Sequence, residues 1–129
     1  MTYEGEYHYA SKHGRGCFSW KDGTKYEGDV VEDQYCGDGE YTWPDMTSYR
    51  GQWKANKMHG QGIMRWPDGR EYQGEFSQNR RHGKGAMTWS NGKRYEGTWI
   101  DGKIFGHGVF KYPDEGEKQV QWITDEYLT

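Results

Sequence analysis

The sequence predicts an all-β protein built from five consecutive 23-residue hairpin repeats. Tyrosine recurs at this interval without an insertion, and each tyrosine opens a Tyr-x-Gly motif that leads to Gly-x-Gly eleven residues later. The five are Tyr3, Tyr26, Tyr49, Tyr72 and Tyr95. A fixed period of about 20 to 50 residues indicates a stack of identical supersecondary units. We therefore expect function to reside in the surface that the stack displays.

The first strand of each repeat is predicted by residue types that alternate with a period of two. In the third repeat Tyr49, Gly51 and Trp53 alternate with charged or amide residues. Successive side chains of a strand point to opposite sides of the sheet, so the rings and glycines share one side and the polar residues the other. We call these sides the ring face and the polar face.

The second strand and the turns follow from the same repeat. Residues 55–59 are predicted to form a polar loop, after which Gly60, Gly62, Met64 and Trp66 again lie on alternate positions. Asp-Gly or Asn-Gly then supplies the positive φ of a tight turn in three of the repeats. The second and fifth repeats have Asp45-Met46 and Asp114-Glu115 instead. At these two places we expect another turn type or a longer turn.

Three glycines recur at fixed positions in every repeat. Glycine inside a strand normally weakens it, but aromatic cover rescues strand glycines. We therefore predict that rings from neighbouring strands lie flat across the bare backbone. On this prediction Gly51→Val or Gly74→Val lifts a ring and destabilises the protein strongly, whereas Gln52→Val on the polar face is tolerated.

Composition alone is typical of a disordered chain, since Leu, Ile, Val and Phe total 13 of 129 residues and the mean hydropathy is −1.28. The arrangement of the aromatic residues favours order instead. Seventeen of the 22 aromatics fall in four repeat positions, and the net charge of −3 is too small to keep a chain expanded. We expect burial to come from rings rather than from aliphatic side chains.

The ends of the chain and its cysteines bear on organisation and compartment. The repeats are predicted at residues 3–25, 26–48, 49–71, 72–94 and 95–117, and residues 118–129 are predicted as a partial sixth repeat whose first strand caps the stack. Cys17 and Cys36 form no CxxC motif, and we find neither a charged and apolar leader nor a long apolar run. These features favour a reduced, cytoplasmic location.

The motifs resemble a known family. In residues 49–69, Tyr-Arg-Gly-Gln-Trp is followed by His-Gly-Gln-Gly and then by Pro-Asp-Gly, and residues 95–114 repeat this pattern with Phe105 in place of histidine. This is similar to the MORN (membrane occupation and recognition nexus) repeat. The resemblance implies an elongated, twisted, single-layer antiparallel β-meander without catalytic activity. It also implies contacts with proteins, including cytoskeletal, ciliary or axonemal assemblies, and in some members with acidic lipid.

The ring face is the predicted binding surface for a partner polypeptide or for a second copy of the chain. A single-layer sheet has no second layer to cover its rings, so we expect a large exposed aromatic patch. The predicted partner-binding residues are Tyr49, Trp53, Trp66, Tyr72, Phe76, Trp89, Tyr95 and Trp99. No nucleic-acid partner is expected.

Charge supplies an alternative function. The second repeat sums to −7, whereas the third and fourth sum to +3 and +4. The candidate basic edge consists of Lys54, Lys57, Arg80, Arg81 and Lys84. Such an edge attracts acidic phospholipid or an acidic protein segment.

The sequence carries no recognisable catalytic motif or metal site. His13, His59 and His82 share one repeat position, but equivalent positions lie about 10 Å apart, too far for one ion. No third glycine follows the Gly-x-Gly pairs at dinucleotide-binding spacing. We therefore expect no enzyme, no cofactor and no metal, and we expect these histidines to form hydrogen bonds in loops.

Overall fold

The computed structural model describes residues 1–113 and 116–122. It contains one open sheet of eleven antiparallel strands in chain order, and the described residues form no helix. The strands are β1 (Thr2–His8), β2 (Ser11–Ser19), β3 (Lys25–Val31), β4 (Gln34–Thr42), β5 (Ser48–Lys54), β6 (Lys57–Arg65), β7 (Glu71–Ser77), β8 (Arg80–Thr88), β9 (Arg94–Ile100), β10 (Lys103–Tyr112) and β11 (Gly116–Trp122). The predicted fold class is confirmed, and β11 pairs along β10 as the capping strand.

The predicted loop at residues 55–59 is wrong, because the chain turns within two residues and β6 begins at Lys57. Ala55 and Asn56 have φ angles of 47° and 69°, as a two-residue type I′ hairpin turn requires. Asn56 also binds the preceding hairpin: its N–H donates to the Tyr35 carbonyl (3.1 Å), and its Oδ1 accepts the Tyr35 N–H (2.8 Å). These two bonds join the turn to the neighbouring strand.

The expectation of a different turn at Asp45-Met46 is also wrong. Met46 has a φ of 77°, close to the 97° of Gly69 in the third repeat. Its N–H donates to the Trp43 carbonyl (2.9 Å), and Asp45 Oδ1 accepts the Thr47 N–H (2.9 Å), as in the glycine-containing turns. The hydrogen bonds hold methionine in a backbone conformation that favours glycine. The turn predicted at Asp114-Glu115 lies outside the described residues.

We expect Met46→Gly to stabilise the protein by about 1 kcal/mol, because it removes the penalty of a left-handed methionine. Met46 is 71% exposed, so little packing is lost. A rise of a few degrees in melting temperature, on the order of 2–5 °C, should follow. The control is Lys21→Gly in the equivalent turn of the first repeat. Lys21 does not have a positive φ, so this substitution should not stabilise the protein. A lower melting temperature for Met46→Gly than for wild type would contradict the explanation.

The predicted stacking of rings on glycine is confirmed. Tyr49 lies across Gly62 on the neighbouring strand, where an added Cβ would stand 2.6 Å from the ring carbon Cζ. At the paired Gly51 the obstacle differs: an added Cβ would stand 2.5 Å from the Gln61 carbonyl oxygen, before it reaches the ring. Each glycine pair therefore combines a ring site on one strand with a close approach of two backbones.

A hydrogen bond on the polar face argues against the expectation that Gln52→Val is tolerated. The register of β5 and β6 shifts between Gly51 and Trp53, which leaves a bulge around Gly60, where φ is 96°. Gln52 Oε1 accepts the Gln61 N–H (2.7 Å) in this bulge. Glu6, Asp29 and Glu75 accept the equivalent N–H groups in their own repeats. Valine at position 52 would leave this donor without its acceptor.

Candidate functional site

The chain itself buries most of the ring face. Six of the eight predicted partner-binding residues are at most 7% exposed: Tyr49, Trp53, Tyr72, Phe76, Tyr95 and Trp99. Rings of adjacent hairpins meet edge to face, with 4.9 Å between the centroids of Tyr49 and Phe76 and 5.4 Å between those of Tyr72 and Trp99. The expectation of an exposed patch is therefore wrong at these six positions. Their rings cover one another and the glycine backbone.

Trp99 shows how tightly this interior is built. Its Nε1–H donates to the Gly85 carbonyl (3.2 Å), and its ring contacts Tyr72 and Tyr95. The Arg81 guanidinium carbon lies 4.9 Å from the ring centroid, within the range of a cation–π interaction. The side chain is 1% exposed. Trp99 is a core residue and not an accessible contact residue.

The hydroxyls of the buried tyrosines are hydrogen-bonded to the backbone. Those of Tyr26, Tyr49 and Tyr72 donate to the backbone carbonyl three residues ahead, at 2.7, 2.7 and 2.8 Å respectively. Burial raises the pKa of all three well above the ordinary tyrosine range. These hydrogen bonds hold each ring in position over its glycine.

One set of core residues, at the tenth position of the repeat, is not predicted from the sequence. Tyr35 stacks on Tyr26 with 3.9 Å between centroids, and Met58 and Ile104 are buried. In the first and fourth repeats this position is Lys12 and Arg81. The residue types share no property that marks a core position, and in the third repeat the position falls inside the predicted loop. Only the period of 23 could have pointed to it.

The accessible part of the ring face is a strip that we call the tryptophan row: Trp20, Trp43, Trp66, Trp89 and, in the fifth repeat, Tyr112. Each member stands shortly before the turn that closes its repeat and is half-buried against the core. The Arg70 guanidinium carbon lies 4.8 Å from the Trp66 ring centroid, and Lys93 Nζ lies 4.7 Å from that of Trp89. Trp66 and Trp89 are the two predicted contact residues that remain accessible.

The five residues of the predicted basic edge do not share one surface. Arg81 donates to the Gly102 carbonyl (2.8 Å) on the ring face, and Lys84 Nζ donates to Thr98 Oγ1 (3.0 Å) on the polar face. Lys54, Lys57 and Arg80 are exposed at adjacent hairpin ends. Lys54 and Lys57 are cross-strand partners, and Lys57 Nζ donates to Gln78 Oε1 (3.0 Å). Only these three form a common edge.

The polar face carries the charge of the second repeat. Asp29 receives an N–H from Asp38 (2.9 Å) and an ion pair from Arg15 (2.9 Å). Desolvation opposes ionisation of this carboxyl, but the two donors outweigh it and lower the pKa of Asp29. Glu27 and Glu40 stand directly opposite each other on β3 and β4, an unfavourable pairing of like charges.

Among the described residues, no three His, Cys, Asp or Glu side chains converge as metal ligands would. His82 Nδ1 accepts the Asp101 N–H (3.3 Å), as expected for a histidine that forms loop hydrogen bonds. His59 Nδ1 is buried without a hydrogen-bond partner in the described part of the chain. Cys17 and Cys36 are both free thiols.

Comparison with known families agrees with this architecture. The model of the MORN repeat matches the chain five times, at residues 3–25, 26–45, 49–69, 72–94 and 95–117. The chain belongs to the MORN repeat family. A search among curated proteins gives no significant match.

Membership sets the general class of function. MORN repeats are protein or membrane interaction modules, and the family is generally non-enzymatic. Over residues 1–113 and 116–122, no helix has the length and apolar character to cross a bilayer. The surfaces available to this MORN protein for an interaction are the tryptophan row, the hairpin ends and the polar face.

Proposed function

We propose that this MORN protein is a non-enzymatic scaffold or adaptor that binds a partner polypeptide along the tryptophan row. The observation that carries the proposal is that this strip stays half-buried in every repeat, while the chain's own side chains cover most of the rest of the ring face. The exception is Tyr7 in the first repeat, which is 60% exposed. Successive members lie two strands apart, about 10 Å. Aromatic side chains supply much of the binding energy of protein interfaces.

The proposed partner is a component of a large cytoplasmic assembly, cytoskeletal, ciliary or axonemal. The general use of MORN repeats as interaction modules supports this class. A second copy of the chain is the other polypeptide that fits the row. The six buried ring residues serve this function indirectly, because they hold the row in place.

A photo-crosslinking experiment tests where the partner lies. We expect benzoyl-phenylalanine at position 89 to crosslink a protein in native cell extract at moderate salt, and the same group at position 4 to crosslink none. Trp89 lies in the tryptophan row, whereas Glu4 is exposed on the polar face of the first repeat. Trp66→Ala should weaken the complex, and high salt should not, because apolar contact dominates. Crosslinks from position 4 alone would contradict the proposal.

An acidic phospholipid surface is the second candidate partner. The observation in its favour is the run of exposed cations Lys54, Lys57 and Arg80 at adjacent hairpin ends. Each basic residue near an anionic membrane contributes about 1 kcal/mol. Binding to anionic vesicles that falls with salt and is lost in Lys57→Glu/Arg80→Glu would favour this function over the adaptor.

A further inference from the structure

A groove crosses the polar face, on the side of the sheet opposite the tryptophan row. It has a volume of about 790 Å³ and runs over the second and third repeats. Its floor is the backbone of Gly39, Gly51 and Gly62. Its walls are two rows of side chains that run across the strands on either side of these glycines. Glu27, Glu40 and Arg50 lie in one row, and Arg15, Asp38 and Gln61 lie in the other.

Carboxylates outnumber cations in the groove. The three carboxylates are those of Glu27, Asp38 and Glu40. Of the two guanidinium groups, Arg15 is paired with Asp29 and attracts Glu27 more weakly, and Arg50 stands opposite Glu40 on β5. Among the described residues, neither Asp38 nor Glu40 takes part in an ion pair, and both are exposed. Glu27 lies 3.5 Å from the exposed Lys25 and faces Glu40 across β3 and β4. A cation placed between Glu27 and Glu40 would relieve their repulsion.

The width of the groove selects the form of its occupant. Its walls stand two residues apart along each strand, which is about 7 Å. An α-helix with its side chains is about 10–12 Å across, so a helix does not fit between the walls. An extended chain does, with its long axis perpendicular to the strands and its side chains reaching both walls.

We propose that this groove binds an extended, lysine- or arginine-containing segment of a partner protein, whose cations lie between Glu27 and Glu40 and beside Asp38. Charge complementarity favours such a segment over a neutral or an acidic one. The site lies on the opposite face from the tryptophan row and does not depend on the function proposed for that row. Together the two surfaces would allow one chain to connect two polypeptides.

Fluorescence anisotropy with a labelled peptide of alternating arginine and glycine tests the groove in the full chain at near-physiological salt. We expect Glu27→Gln/Glu40→Gln to weaken binding about tenfold, because two charge pairs are lost. The matched control is Glu4→Gln/Glu32→Gln, which makes the same change in net charge at exposed positions outside the groove. The control should change affinity less than about twofold.

Gln73→Trp adds bulk at the groove wall without changing charge, and it should weaken the peptide as well. Circular dichroism confirms that each variant is folded. Equal weakening by the two double variants would overturn the proposal, since net charge alone would then explain binding. Unchanged affinity in Glu27→Gln/Glu40→Gln, or no binding by wild type, would also overturn it. None of these outcomes alters the crosslinking expected at position 89, so the two functions fail separately.

Discussion

Gly85→Val is expected to lower the free energy of unfolding by about 3 kcal/mol or more. A Cβ at Gly85 would stand 2.5 Å from Cζ of Tyr72, whose side chain is fully buried. Valine therefore forces the ring out of its site, and the Tyr72 hydroxyl then loses its bond to the Glu75 carbonyl. Urea denaturation followed by tryptophan fluorescence measures the effect. Gln73→Val, on the polar face of the adjacent strand, is the control and should cost little.

A double-mutant cycle separates the ring from the backbone as the obstacle. Gly85→Ala should cost less in a Tyr72→Leu background than in wild type, because the smaller side chain vacates the space above position 85. Gly74→Ala should be relieved less by Tyr72→Leu than Gly85→Ala is. Its Cβ would stand 2.9 Å from the Tyr72 hydroxyl but also 2.6 Å from the Lys84 carbonyl oxygen, which the substitution leaves in place. If Gly85→Ala costs the same with and without the Tyr72 ring, the ring is not what excludes a side chain there.

The regular parts of the fold could be predicted because spacing encodes them directly. The interval from Tyr49 to Tyr72 fixes the repeat, and alternation around Gly51 fixes which side chains share a face. The turns at Ala55-Asn56 and at Met46 could not be predicted in the same way. Hydrogen bonds, including those to the preceding hairpin, hold these residues at positive φ, and neither alanine nor methionine signals such a conformation.

The candidate site was harder to predict than the fold. Alternation places Tyr72 and Trp99 on one face, but it does not reveal that their rings meet edge to face at 5.4 Å and exclude solvent. That contact depends on how adjacent hairpins pack. The prediction of a single basic edge was wrong for a simpler reason. Arg80 and Arg81 are consecutive strand residues, so their side chains point to opposite faces of the sheet. The first residue of each strand had to be known before Arg80 and Arg81 could each be assigned to a face of the sheet.

Two tryptophans of the fourth and fifth repeats should respond very differently to truncation. We expect Trp99→Ala to lower the free energy of unfolding by about 3–5 kcal/mol, because it opens a cavity beneath Tyr72 and Tyr95 and leaves the Gly85 carbonyl and Arg81 without the indole. Trp89→Ala should cost about 1–2 kcal/mol, since that ring is half-buried at the edge of the core. Urea denaturation of both variants provides the comparison.

The difference decides how binding experiments on this protein can be interpreted. A complex lost in Trp99→Ala would report unfolding of the sheet, whereas a complex lost in Trp89→Ala, in a chain that still unfolds cooperatively, would report a contact. Equal costs for the two substitutions would show that Trp89 supports the fold as much as Trp99 does. In that case loss of a complex in Trp89→Ala could not be distinguished from unfolding, and the crosslink at position 89 would have to decide whether a partner lies on the tryptophan row.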